Sequence, residues 1–352
     1  MKIVLISDLH FGVRKGSKVF LDSQMRYFNE ELIPMIKDQG YKDLWILGDI
    51  WDNRESLNAK CQNEVYHMFE TLANLNINVK LIVGNHDTQY KTNIEVHSLK
   101  YLSLFPNVEV IDRIKEETVE GLDVTFFPWQ TDDLFTQTSY KGEIAFGHFD
   151  INGCMLNKTT VQEGGTGQSF FYNNFKRTYS GHFHTQSYYS HPNGSDITYI
   201  GSPYHLNRND IDTEKGCIIF DTDTLKHERV NSTTPLQYIK TWYPSPVDEI
   251  PIKNNIIDVH VKISDKFKSN KLTDYIYSIE NHVDGEPINV NIVPHYDSEL
   301  LSSENIDDDL SKVKSIPQMI KNKLSTMDLG VEYAKSVNEY ITDIYSACQE
   351  DD

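Results

Sequence analysis

Five short motifs carry residue types that can do chemistry. In chain order they are Asp8-Leu9-His10, Gly48-Asp49, Gly84-Asn85-His86-Asp87, Gly147-His148 and Gly181-His182-Phe183-His184. Carboxylate, imidazole and amide oxygen are ligands that suit Mn²⁺, Fe²⁺ or Zn²⁺, and no thiolate stands among them. Asp8, His10, Asp49, Asn85, His148, His182 and His184 are therefore the candidate ligands of two divalent ions, with His86 placed to assist the chemistry. On an extended strand end, both side chains of an Asp-x-His can point to one face. A glycine beside the ligands lets the backbone turn sharply and admits an ion or substrate closely. One carboxylate can bridge two ions, and Asp49, lying between the other motifs, is the natural bridge. Two ions about 3.5–4 Å apart clamp a phosphate and lower the pKa of a shared water.

Each motif alone says little. Asp-x-His is common, and Gly-Asp is often just a turn. Gly-Asn-His-Asp can cap a helix through Asn85 or Asp87. Gly-His-x-His can be a strand with two half-buried imidazoles. What carries the reading is their order and their place, because each motif sits where an apolar run stops. His67, His97, His191, His227, His260, His282 and His295 lack such a context and read as structural or surface residues.

The elements that must position these motifs can be read from periodicity. Lys2–Ile6 is an apolar strand, Leu44–Leu47 a second and Val79–Val83 a third. Between them, Met25, Phe28, Leu32 and Met35 recur at helical spacing, as do Val65, Met68, Leu72 and Leu75. A β-α-β-α-β start predicts parallel pairing at the centre of a sheet. In an open α/β sheet, ligands bind at the carboxyl ends of the strands, which is where the motifs lie. From Val108 the strands come closer together: Val108–Ile111, Val124–Phe127, Ile144–Phe146, Thr178–Ser180, Thr198–Ile200 and Cys217–Phe220. This spacing predicts a second sheet packed on the first. Residues 152–170, with four glycines, read as a long flexible loop. Pro235, Pro244 and Pro246 mark a boundary near Asn231–Val247. Beyond it, Ile256–Val261, Leu272–Asn281 and Ile288–Val293 read as strand, helix and strand, followed by the polar, acidic stretch Ser298–Ser311 and a helical end.

Composition bounds the rest. Hydrophobic residues make up 39 % of the 352, enough for a substantial core. No apolar run reaches membrane-spanning length. The opening MKIVLISDLH is too short in its apolar part for a signal-peptide core and reads as a buried strand. Cys61, Cys154, Cys217 and Cys348 are scattered, which fits a reducing cytosol and neither a disulfide framework nor a zinc cluster. The net charge is −19, of which about −8 falls in residues 1–240 and about −11 in residues 241–352. That balance opposes a surface coated in nucleic-acid contacts, but two bound cations would invert the field at the site itself.

The ordered motifs resemble the calcineurin-like metallophosphoesterases over residues 1 to about 230. Within that family they resemble the SbcD-type recombination nucleases of bacteria and phages. The cues for the latter are Gly48-Asp49-Ile50-Trp51-Asp52, Gly84-Asn85-His86-Asp87 followed by Tyr90-Lys91, Phe127-Pro128-Trp129, Gly181-His182-Phe183-His184-Thr185 and Tyr199-Ile200-Gly201-Ser202-Pro203. The resemblance implies a four-layer α/β/β/α sandwich, with a small C-terminal α+β capping module and terminal helices. It implies that Asp8, His10, Asp49 and His184 bind one ion, that Asp49, Asn85, His148 and His182 bind the other, and that His86 serves the leaving oxygen. Mn²⁺ is the preferred metal of such nucleases, with Mg²⁺, Fe²⁺ or Zn²⁺ as alternatives.

The implied partners are DNA double-strand ends and an SMC-like ATPase of the SbcC or Rad50 type. The implied assembly is a homodimer within a heterotetramer, in the cytoplasm (a host's, for a phage protein). On this basis residues 1–235 would be the nuclease domain, 248–297 the capping module, 298–311 a linker and 312–352 the ATPase-docking segment. Where some cellular relatives carry a second histidine after the bridging aspartate, this chain has Asp52, which is expected to support or cap the loop. Arg14, Lys15, Lys18, Lys91, Lys176, Arg177, Tyr204, His205 and Arg208 lie on loops that could hold a phosphate backbone. Two rival readings are a phosphoesterase for nucleotides or phosphoproteins, and a non-catalytic assembly subunit.

Overall fold

The computed structural model describes residues 1–90, 93–129, 140, 142–263 and 269–296. The expected linker, the helical end and Lys91 lie outside the described residues. The chain divides into two compact units. Among the described residues, the first comprises Met1–Lys240, Pro251–Ile257 and Pro287–Asn289, and the second comprises Thr241–Ile250, Asp258–Glu286 and residues 290–296.

Two six-stranded sheets form the first unit. In the first sheet, Lys2–Ile6, Asp43–Ile46, Asn78–Ile82 and Val108–Ile111 run parallel in that order. Gly216–Asp221 joins the other side of Lys2–Ile6 antiparallel, and Lys226–Asn231 forms the outer edge. The central strands are apolar on both faces because both faces are covered. Val4, Ile6, Leu44, Ile46, Val79 and Leu81 face one way, into a core shared with Phe28, Leu32 and Ile36 and with Val65, Phe69 and Leu72. Those six residues come from the two helical stretches that the spacing predicts. The first runs as Lys18–Arg26, Tyr27–Leu32 and Ile33–Gln39, its middle part wound as a π-helix, and the second is Ala59–Asn74, capped by the Asn58 side chain. Their buried faces lie on the sheet.

Ile3, Leu5, Trp45, Leu47 and Ile82 face the other way and meet Val124, Phe126, Ile144, Phe146 and Tyr179 of the second sheet. That sheet has Leu122–Phe127, Ile144–His148, Arg177–Gly181 and Asp196–Tyr199 parallel at its centre. Lys115–Val119 and Ser187–Ser190 are its antiparallel edges. On its far side, Ala145, Ile197 and Tyr199 pack with Phe171 and Tyr172 of the short helix Gln168–Asn174. The layers are thus helix, sheet, sheet and helix.

Two expectations need correction. Val108–Ile111 and Gly216–Asp221 belong to the first sheet, not the second. Both sheets face a common core, so an apolar run of strand length does not reveal which one it joins. Residues 152–170 are more ordered than a flexible loop. Ile151–Asn152 pairs with Thr166–Gly167, Met155 bridges Val161, and the Asn157 side chain accepts from the Thr159 and Thr160 amides at 3.0 Å each.

The second unit holds most of a three-stranded sheet made of Tyr238–Tyr243, Ile256–Ile263 and Asn289–Tyr296, with the helix Ser269–Glu280. No helix among the described residues is long and apolar enough to cross a membrane.

Candidate metal centre

All the candidate residues lie at or just past the carboxyl ends of five strands. Asp8 and His10 follow Lys2–Ile6, Asp49 follows Asp43–Ile46, and Asn85 and His86 follow Asn78–Ile82. His148 closes Ile144–His148, while His182 and His184 follow Arg177–Gly181. The register pairs Gly181 with His148, so the last two motifs are neighbours across one ladder. The turns are unusual for residues with side chains: φ is +57° at Asp8, +46° at His10, +56° at Asp49 and +89° at His182. Such left-handed backbone costs about 1–3 kcal/mol each where it is not glycine. Beside Asp49, neighbouring glycines leave room for it. Gly48 is itself at φ +96°, and a Cβ on Gly84 would stand 2.2 Å from Asp49 Oδ1.

The structure brings all seven candidate ligands and His86 into one cluster. Donor atoms of Asp8, His10 and His184 lie within 4.8 Å of one another, as do those of Asp49, His148 and His182 and those of His10, Asp49 and His86. His184 Nε2 is 3.0 Å from His10 Nε2. Asp49 Oδ2 is 3.3 Å from His148 Nε2 and 3.6 Å from His10 Nε2, so its carboxylate faces both groups. Asn85 Oδ1 stands 2.9 Å from His148 Nε2 and 2.9 Å from His182 Nδ1.

This donor set fits metal. His148 Nδ1 donates to Leu47 O at 2.7 Å, which leaves Nε2 aimed at the Asp49 carboxylate 3.3 Å away, while the Nε2 atoms of His10 and His184 face each other at 3.0 Å. Lone pairs facing lone pairs in a buried site call for positive charge between them. In the metal-free protein protons supply part of it. Burial opposes the charged His148, but Asp49 outweighs it and pushes the ring up to about 9. His10 is likewise raised, its burial offset by Asp52 and Asp49. Asp49 is held well below the usual carboxylate range, burial being overcome by His148 and His10. Burial raises Asp8. It lowers His86, His184 and His182, the last to about 3 with the His148 charge adding to the effect. The three lowered rings are neutral at pH 7, the state in which an imidazole ligates.

Side chains outside the ligand set hold this geometry. Asp87 is 1 % exposed, and its Oδ2 accepts from the amides of Asp49 and Gly84, both at 2.9 Å. Its Oδ1 accepts from the amides of Ile50 at 3.0 Å and Trp51 at 3.1 Å. One carboxylate thereby ties the Asp49 turn to the Asn85 turn. Burial and the neighbouring Asp49 push Asp87 up to about 7 against the pull of those amides. Sequence reasoning gave Asp87 only a helix-cap role; its place directly after His86 was the available signal. Asp52 takes the supporting role expected of it: Oδ1 is 3.3 Å from His10 Nδ1, and its carbonyl accepts from His86 Nδ1 at 2.6 Å. Arg54 Nε donates to Asn85 O at 2.6 Å. Trp129 lies against the ligand rings, with its ring centre 5.0 Å from that of His182.

Some of the proposed backbone contacts do not survive. Tyr204 and His205 are buried, the first donating to Leu9 O at 2.7 Å and the second accepting from Tyr238 N at 3.1 Å. Neither can reach a phosphate. Lys176 and Lys18 stay exposed, paired with Glu143 at 2.7 Å and with Asp22, while Arg177 is partly buried against Asp196 at 2.6 Å.

The family model for calcineurin-like phosphoesterase matches residues 1–260. Exonuclease subunit 1 of Enterobacteria phage T4 is 26 % identical over 353 residues, covering 98 % of each chain. Among solved structures, a dimetal phosphatase from Danio rerio aligns with 62 % of this chain and 91 % of its own at 8 % identity and a TM-score of 0.38. The phosphopantetheinyl hydrolase of Mycobacterium tuberculosis aligns with 57 % of this chain and 90 % of its own at 14 % identity and a TM-score of 0.34.

Proposed function

The chain belongs to the calcineurin-like phosphoesterase family, and from that premise we propose that it is the nuclease subunit of a DNA-end-processing complex. The observation that carries the reading is the convergence of seven metal-type donors and His86 at five strand ends. The near full-length likeness to a phage exonuclease subunit favours DNA over a small ester as substrate.

In this reading Asp8, His10 and His184 hold one divalent ion and Asn85, His148 and His182 the other, with Asp49 between them. Mn²⁺ is the proposed metal. When bound, the ions supply Lewis-acid charge for phosphodiester hydrolysis and activate a water. The protein's own part is positioning and proton handling. Asp49 is oriented by the His86 amide, which donates to its Oδ1 at 2.8 Å. His182 N donates to Asp8 at 3.0 Å and fixes that carboxylate across the two sheets. His86 donates through Nδ1 to the Asp52 carbonyl, which orients the ring. The negative charge of a phosphodiester beside it would favour its protonated form, and it would then donate to the leaving oxygen.

The proposed partner is an SMC-like ATPase, docked by residues 312–352, and the proposed assembly is a homodimer within a heterotetramer. The decisive assay follows Mn²⁺-dependent degradation of a linear duplex, with and without such an ATPase, beside a generic phosphate ester. Turnover of the ester alone, with intact DNA under both conditions, would refute the nuclease reading.

A further inference from the structure

One buried lysine stands behind half of the site. The Lys215 side chain is 2 % exposed and lies at the start of Gly216–Asp221, far in sequence from every motif. Its ammonium donates to His184 O at 2.7 Å, to Ser202 Oγ at 3.0 Å and to Asp210 Oδ1. His184 O accepts a second bond, from Ser202 N at 3.1 Å. Asp210 spends its other oxygen on the amides of Leu206 at 2.8 Å and Asn207 at 3.0 Å. Ser202 Oγ donates to Tyr204 O at 2.9 Å, and Tyr204 OH reaches Leu9 O at 2.7 Å, between Asp8 and His10. The network therefore grips both strand-end turns that supply Asp8, His10 and His184.

On the other side, Asn85 and His148 are held by other means: Leu47 O on His148, Arg54 on Asn85, and Asp87 beneath the Asp49 and Asn85 turns. His182 lies on the same turn as His184, and its amide joins the two sides by donating to Asp8 Oδ1 at 3.0 Å. A point charge with three acceptors fixes a carbonyl more firmly than a neutral donor does. Losing it would leave a buried carboxylate at Asp210 without its counter-charge and free the His184 turn to shift.

We propose that Lys215 is a positioning residue chiefly for one metal, setting the occupancy of the Asp8/His10/His184 ion, whose ligand carbonyl and facing turn it holds, without touching it. The proposal rests on the two-ion reading above. It is tested with the full-length protein, stripped of metal and titrated with Mn²⁺ by calorimetry, with electron paramagnetic resonance reporting spin coupling between paired ions. Wild type should take two ions and show coupling. Lys215→Met should keep one ion at near wild-type affinity, weaken the other at least tenfold, and lose the coupling at sub-saturating Mn²⁺. Adding His184→Ala to Lys215→Met should leave the same single tight ion, whereas adding Asn85→Ala should leave none.

If Lys215→Met does not fold, Ser202→Ala removes a single partner and should weaken the same ion by a smaller factor. A wild-type chain that takes no Mn²⁺ would overturn the two-ion reading and the proposal with it. Two ions in wild type, with both equally tight or both equally weakened in the variant, would overturn the role of Lys215 alone.

Discussion

Replacing Asp87 by alanine should unsettle the protein before any metal or substrate is added. Its carboxylate accepts four backbone N–H groups, two on each oxygen, at 2.9–3.1 Å in a site that is 1 % exposed. Hydrogen bonds to a charged group contribute about 1.5–3 kcal/mol each, so simple addition gives roughly 6–12 kcal/mol. That overstates the loss, because a water entering the space left by the carboxylate can satisfy some of the amides and because the ionised form already carries a burial penalty. About 3–5 kcal/mol is the expected cost. For a domain of this size that corresponds to a fall in Tm of about 6–20 °C.

The measurement is a thermal scan in excess chelator, so that metal linkage does not enter, with far-UV circular dichroism at low temperature as a check on folding. Asp87→Asn offers a finer test. Whichever way the amide is turned, its NH2 faces two N–H donors, so it should lose about half as much as alanine. A fall of less than about 2 °C for Asp87→Ala would refute the argument that this carboxylate ties the two turns together.

Three further outcomes follow from the same structure. His86→Ala should lose most turnover while the metal content stays near that of wild type, and equal loss of both would make His86 structural. Stability should depend on pH through His205, whose buried ring is lowered from 6.5 to about 4, mainly by burial. Its contribution is full above about pH 6.5 and is lost as the pH falls toward 4, an effect of about 3 kcal/mol that His205→Gln should largely remove from a pH series of melts. Ending the chain at Ser311 should abolish co-purification with the proposed ATPase partner and leave Mn²⁺ stoichiometry unchanged; retained co-purification would place the docking surface elsewhere.

The ligand positions were legible because each follows an apolar run and most stand beside a glycine, a pattern that survives without tertiary information. The parallel centre of the first sheet was legible for the same reason, since Ile3 to Ile6 and Leu44 to Leu47 are apolar on both faces and Val79 to Val83 is so except for Lys80. The edges were not. Lys115–Val119, Ser187–Ser190 and Lys226–Asn231 are half-exposed and polar, so their strand signal is faint. The assignment of Val108–Ile111 and Gly216–Asp221 failed because an apolar strand fits either wall of a shared core. Supporting groups such as Asp87 and Lys215 act on backbone atoms brought near only by folding. Nothing in local spacing marks Lys215, 31 residues after His184, as its partner.

The place of the first strand has a consequence for synthesis. Lys2–Ile6 lies inside its sheet, with Asp43–Ile46 on one side and Gly216–Asp221 on the other. A ribosome adding about 5–20 residues per second needs roughly 10–40 s to pass from the first strand to its second neighbour. For that interval the earliest-made part of the domain presents an open, apolar edge, the kind of surface that pairs with another chain. The metal donors share the delay, since Asp8 leaves the ribosome long before His184. A message cut short just before Gly216 would therefore yield a fragment with every candidate ligand and an uncovered strand. Its first defect would be aggregation in the producing cell rather than a missing catalytic group.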